Sequence, residues 1–167
     1  MSGKLPFDPI ARARELWRAR WGADAPYDAM ATATSIMRVQ QRLLADLDAA
    51  VAPYGLTFAR YEALVLLAFS RTGDLPMSKV GERLMIHPTS ATNIVQRLAA
   101  DGLVERVPNP QDGRGTLARI TPAGTNRMEE ATAALHAIDF GLAGVSEREH
   151  GQLWRLLRNI RKRSGDF

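Results

Sequence analysis

The stretch MSKVGERLMIHPTSATNIVQRLAADGLVERVPNPQDGRGTLARIT, residues 77–121, decides the fold. It divides into a short amphipathic segment over 78–85, a second over 88–101, and two β-like runs, 103–107 and 116–121. The runs flank a Gly/Pro loop, 108–115. In the second segment Ala91, Ile94, Val95 and Leu98 follow i, i+3, i+4, i+7, which fixes the buried face of a helix. His87 stands at its N-cap and Pro88 at its first turn, where a missing N–H costs nothing. Gly102 supplies the left-handed residue that closes it. The outward face is then Thr89, Ser90, Thr92, Asn93, Gln96 and Arg97, and no acid occurs from Pro88 through Ala100.

Short hydrogen-bonding side chains on an acid-free helix, followed by a hairpin, suit a DNA reader. Asn93 and Gln96 carry the paired donor and acceptor that match adenine in the major groove. Thr89 and Thr92 offer a methyl to thymine or a hydroxyl to phosphate, and Arg97 reaches a guanine edge or a phosphate. Ser78 on the preceding helix and Arg106 on the first strand complete the nearby candidates. Arg114 lies between Gly113 and Gly115 at the loop tip, where a long cation can enter a minor groove. Asp112 could hold its guanidinium in one orientation. The plainer alternatives are a solvated helix face and an ordinary loop arginine, although a solvated face normally mixes both signs of charge.

Outward from this segment the chain reads as helical. Asp8 and Pro9 open a helix to residue 21, with Ile10, Ala13, Trp17 and Trp21 on one side and Arg12, Arg14, Arg18 and Arg20 against a single acid, Glu15. A long helix over 28–52 carries the stripe Ile36, Val39, Leu43, Leu47, Val51, broadened by Leu44. Thr57 caps a helix to about residue 70, its inner face Tyr61, Leu64, Val65 and Ala68. Thr72-Gly73-Asp74 reads as a break. Pro122 opens a helix striped by Met128, Ala131, Leu135, Ile138 and Leu142, its end weakened by Gly141 and Gly144. Ser146 and Glu149 form a capping box for a last helix with Leu153, Leu156, Leu157 and Ile160, followed by a basic tail. The expected fold is mainly α with a small β-hairpin wing: a winged helix-turn-helix at 55–121, flanked by a dimerisation region at 28–54 and 122–167. An N-terminal extension with an extra helix occupies 1–27. Apolar stripes at both chain ends, far in sequence from the reader, point to a homodimer.

Composition excludes several classes. There are no cysteines among the 167 residues, which removes disulfides, thiolate metal sites, cysteine nucleophiles and cysteine oxidant sensing. The longest strongly apolar run, Ala63 to Phe69, is too short to span a bilayer, so no membrane partner is expected. MSGKLPFDPIARARELW has no apolar signal core, and a cytoplasmic location is the expectation. A net charge of +4 suits a polyanion such as double-stranded DNA without singling it out. His87, His136 and His150 show no metal-ligand spacing, and no nucleophile, phosphate-loop or dinucleotide motif is present. No enzyme, metal or cofactor is expected. Trp17, Trp21, Tyr27, Met37, Arg14 and Arg18, with His136 beyond the wing, are candidates for a small-molecule site that would suit a flat carboxylate or phenolate. Docking of the extra helix on the dimer core is the favoured reading of the two tryptophans, and an interface histidine that of His136. A winged-helix protein-interaction module without specific DNA binding is the second reading of the whole chain.

Residues 30–163 resemble the MarR family of winged helix-turn-helix transcription regulators. The resemblance is carried by Leu56-Thr57, by the run from Ala99 to Arg106, by Asp112-Gly113-Arg114, and by Ile120-Thr121-Pro122-Ala123-Gly124. It implies a homodimer, triangular in outline, with two winged lobes on a palindromic operator. It also implies a repressor released by a small, often aromatic or phenolic, effector between reader and dimer regions. Asp112 and Arg114 match the family's wing pair, and Thr89 to Arg97 its recognition helix. The extra helix at 8–21 resembles the urate-responsive branch. The aspartate and arginine expected there have Glu62 and Ile94 as counterparts, so the chain departs from that branch.

Overall fold

The structure, a computed structural model, describes residues 5–110 and 115–167. The elements are α1 (Pro9–Trp21), α2 (Tyr27–Val51), α3 (Phe58–Ala68), β1 (Asp74–Pro76), α4 (Met77–Arg83), α5 (Pro88–Ala100), β2 (Val104–Pro108), β3 (Thr116–Ile120), α6 (Pro122–Ala137) and α7 (Glu147–Arg163). Short 3-10 turns follow α2 at Ala52–Tyr54 and α6 at Asp139–Gly141. The expected winged helix-turn-helix with flanking helices is what forms.

One core ties the reader to α2 and α6. Val51, Leu64, Leu67, Val80, Val95, Leu98 and Leu135 are fully buried. Ala63 and Leu67 belong to this core, while Val65 and Ala68, expected inward, are only half-buried. The Asp48 carboxylate on α2 accepts from the Phe58 N–H at 2.6 Å, so a long-helix side chain supplements Thr57 in capping α3. Arg127 on α6 donates to the Tyr54 carbonyl at 2.7 Å.

Three differences from the sequence reading have physical causes. First, 74–76 is a strand, not a break. It pairs antiparallel with β3, Asp74 opposite Arg119 and Leu75 opposite Ala118, giving the sheet order β1-β3-β2. Three residues ending in proline carry no alternation, and Pro76 is tolerated because β1 is an edge. Second, the stripe over 128–142 does not belong to one helix. α6 stops at Ala137, and Asp139, Phe140 and Gly141 take φ of 49°, 49° and 75°. This left-handed run turns the chain toward α7. Third, α7 buries none of its residues within the chain, although its capping box forms as expected. Trp154 is 60% and Leu156 63% exposed.

The junction of α5, the wing and α6 is built from Thr121 and Gly124. The Thr121 hydroxyl donates to the Gly102 carbonyl at 2.9 Å and accepts from the Gly124 N–H at 3.0 Å. The Thr121 N–H donates to the Leu103 carbonyl at 3.1 Å. Gly124 must lack a side chain: a Cβ there would lie 2.1 Å from the Leu103 oxygen and 2.9 Å from Ile120 Cγ1. At the sheet edge Asp74 accepts from Thr72 Oγ1 at 2.9 Å and from Arg119 at 2.9 and 3.1 Å. These hydrogen bonds, Thr72 first and Arg119 next, hold its carboxyl below the usual aspartate range.

Thr121→Val should cost about 1–2 kcal/mol of unfolding free energy through loss of the cap. Gly124→Ala should cost about 1–3 kcal/mol through overpacking. Urea denaturation measures both, and wild-type midpoints would remove the junction from the stability account. Because the folded-state pKa of Asp74 is lowered, its contribution is complete above the unfolded-state pKa and is lost as pH falls through the folded one. Asp74→Asn should therefore flatten the acid limb of a melting-temperature profile between about pH 5 and pH 2; an unaltered limb would refute this.

Candidate nucleic-acid interface

Helix α5 is amphipathic in the way its spacing demands. Ala91, Val95 and Leu98 are 1% exposed or less, and Ile94 is half-buried. On the other side Thr89, Ser90, Asn93, Gln96 and Arg97 are exposed. None of these five side chains has a hydrogen-bond or ion-pair partner among the described residues. His87 Nδ1 accepts from the Thr89 N–H at 3.2 Å, which confirms the histidine cap. The Thr92 hydroxyl donates to the Pro88 carbonyl at 3.0 Å, so its proton is committed and its methyl and lone pairs remain for a ligand.

This face is anchored from behind. Arg60 on α3 pairs with Asp101 at the end of α5, at 3.3 Å. The turn between α4 and α5 is closed by Ile86 N–H donating to the Gly81 carbonyl at 3.0 Å. Gly81 lies 3.5 Å, measured from an added Cβ, from the Ala91 methyl, which lets α4 approach α5 closely. Ser78 and Arg106 are both exposed, Arg106 on β2 opposite Ala118. The Asn109 N–H donates to the Gly115 carbonyl at 3.0 Å, which carries the hairpin past its last ladder pair. Asp112 and Arg114 lie outside the described residues.

The suggested small-molecule residues separate into two places. Trp17 and Trp21 have ring centroids 4.3 Å apart. Arg14 and Arg18 lie over the Tyr27 ring at 5.1 and 5.8 Å, and Arg14 also pairs with Asp28. These contacts attach α1 to the start of α2, with Arg14 ion-paired within the chain. Met37 is 60% exposed on α2. His136 is elsewhere: it lines a cavity of about 820 Å³ between α3 and α6, beside Phe140 at 5.8 Å between ring centroids.

That cavity is the feature sequence reading largely missed. Phe58, Glu62, Leu66 and Phe69 come to it from α3 and the residue beyond, and Met128, Glu129 and Thr132 from α6. A signal was present: 58, 62, 66 and 69 form a second helical stripe on α3, separate from its core face. Apolar neighbours desolvate the Glu62 carboxyl and raise its pKa above the ordinary glutamate value. Among the described residues no group of three or more His, Asp or Glu could hold a metal ion, and no helix is long and apolar enough to cross a membrane.

The comparisons agree with this geometry. A model described as MarR family matches residues 54–115. Sco5413 from Streptomyces coelicolor, a MarR family transcriptional regulator, is 58% identical; the alignment covers 84% of this chain and 97% of that one, with a TM-score of 0.79. The HTH-type transcriptional repressor IacR of Pseudomonas putida is 30% identical over 128 residues, 75% of this chain and 74% of that protein. A mutant MarR from E. coli complexed with operator DNA has the same fold, with a TM-score of 0.72 over 83% of this chain and 99% of that one, at 23% identity. With a polar helix face that has few partners among the described residues, a winged helix-turn-helix and relatives of this kind, the chain belongs to the MarR family of DNA-binding transcriptional regulators.

Proposed function

We propose that this regulator is a ligand-responsive repressor that binds an inverted-repeat operator as a homodimer. The observation that carries the reading is the exposed, acid-free face of α5, whose Asn93, Gln96 and Arg97 have no partner among the described residues. The helix beneath these groups is already ordered, so binding fixes only side-chain rotamers, and the groups carry the chemistry that base edges require. Thr89, Ser90 and Thr92 stand toward the helix N-terminus, where unpaired N–H groups favour a phosphate. Ser78, Arg106 and the wing pair Asp112 and Arg114 extend the contact to the backbone and adjacent groove. Phosphate contacts supply most of the affinity and α5 the discrimination.

The homodimer is supported by unpartnered apolar surface. Leu153, Trp154, Leu156, Leu157 and Ile160 on α7 are all exposed, as are Ile36, Val39 and Leu44 on α2. A soluble monomer rarely leaves two such faces open. On this reading residues 28–54 and 122–167 form the dimer region, residues 55–121 the reader, and residues 1–27 an extension held on α2. The α3–α6 cavity lies where reader and dimer region meet, and an effector there acts only by binding one spacing of the two α5 helices better than another.

A gel shift against a random duplex pool at physiological ionic strength tests the reading: retained DNA is expected, and none would favour a protein-interaction module. Leu157→Glu, which puts a charge on the α7 apolar face, should leave a monomer by sedimentation and lose the shift. Arg114→Ala should lower affinity and reduce the slope of log K against log salt by about 1; an unchanged slope removes the wing from the contact. Asn93→Ala should relax preference at one base position by about 1–3 kcal/mol, read by competition between single-base variants of a bound duplex.

A further inference from the structure

The α3–α6 cavity has a wall that accepts hydrogen bonds far better than it donates them. Its polar lining side chains are Tyr61, Glu62, Glu129, Thr132 and His136. Thr132 Oγ1 donates its proton to the Met128 carbonyl at 2.8 Å. Its contact with Tyr61 Oη, 2.9 Å away, must then be made with the tyrosine proton. Both hydroxyl protons are therefore used inside the wall, and what they leave facing a ligand is lone pairs. Glu62 and Glu129 are acceptors when ionised, and neither has a hydrogen-bond or ion-pair partner among the described residues. Among the described residues no lysine or arginine lines the cavity, and with both glutamates ionised only the His136 side chain can still donate. The remaining wall is apolar and aromatic, with Phe58 and Tyr61 stacked at 5.8 Å and Phe69 and Phe140 at its edges.

We propose that this cavity binds a hydrophobic cation, an aryl or alkyl amine, rather than a phenolate or carboxylate. An ammonium group supplies the donors that the wall lacks and offsets negative charge on Glu62 and Glu129, which have no ion-pair partner among the described residues. Aromatic faces add attraction for a cation and contact for its apolar body. An anion meets the opposite conditions: one imidazole donor, two like charges and no guanidinium or ammonium. The elevated pKa of Glu62 agrees, since partial desolvation by the apolar wall disfavours its charge in the absence of a cation. The proposal rests on the cavity being the effector site of this regulator, and it sets the effector's charge.

Three probes of one shape separate the possibilities: 1-naphthylmethylamine, 1-naphthylmethanol and 1-naphthoate, titrated calorimetrically into the full-length protein. The amine should bind at least tenfold more tightly than the alcohol, and the carboxylate most weakly. Glu62→Gln and Glu129→Gln should each reduce the preference for amine over alcohol, with melting curves confirming that both variants fold. Tighter binding of the carboxylate, no binding of any probe, or a preference unmoved by both variants would overturn the assignment. Release of DNA is recorded in parallel. Amine binding without release refutes effector control while leaving the ligand class standing; release by the carboxylate does the reverse.

Discussion

The hydrogen bonds of Thr121 hold together everything that matters for function. One hydroxyl donates to the carbonyl of Gly102, at the end of α5, and accepts from the N–H of Gly124, in the first turn of α6. The same residue's N–H reaches the Leu103 carbonyl, at the root of the wing. Three elements that already share one buried core are thereby held in one relative orientation at their ends. Gly124 completes the arrangement, because any Cβ would drive α6 off the Leu103 carbonyl. The direction in which α5 projects is thus tied to the first turn of α6, and α6 leads into the region proposed to pair two copies.

This connection explains why a cavity between α3 and α6 is well placed for control. α3 packs against α5 and carries Arg60, which holds Asp101 at the α5 terminus. α6 carries Thr132, which receives the Tyr61 proton from α3. A molecule seated between these helices touches both the support of the reading face and the helix that fixes its heading. Phe140 lines the same cavity from the left-handed turn that redirects the chain toward α7. On the proposed effector reading, small shifts there would be transmitted because packed elements rearrange as units.

Much of this was legible in residue order. The α5 register followed from Ala91, Ile94, Val95 and Leu98, and the caps His87, Gly102, Thr57 and Ser146 stand where their chemistry suggested. The illegible parts share a cause: they depend on partners distant in the chain. β1 exists only because β3 passes beside it, and three residues ending in proline cannot announce that. The halt of α6 at Ala137 depends on a left-handed turn against Leu43, which approaches the position of a Gly141 Cβ to 3.1 Å. The cavity required two helices to be brought together, and only His136 among its walls had been singled out as a ligand residue. Arg14, Arg18 and Tyr27, grouped in the sequence reading, do meet in the structure, where their contacts fasten α1 to α2.

Selection of bound duplexes from a random pool tests most directly whether two copies of α5 read one DNA molecule. An enriched inverted repeat with half-site centres about one helical turn, 10–10.5 base pairs, apart is expected. A single unpaired half-site, or a bound pool no different from the input, would contradict the paired insertion of the Thr89 to Arg97 face.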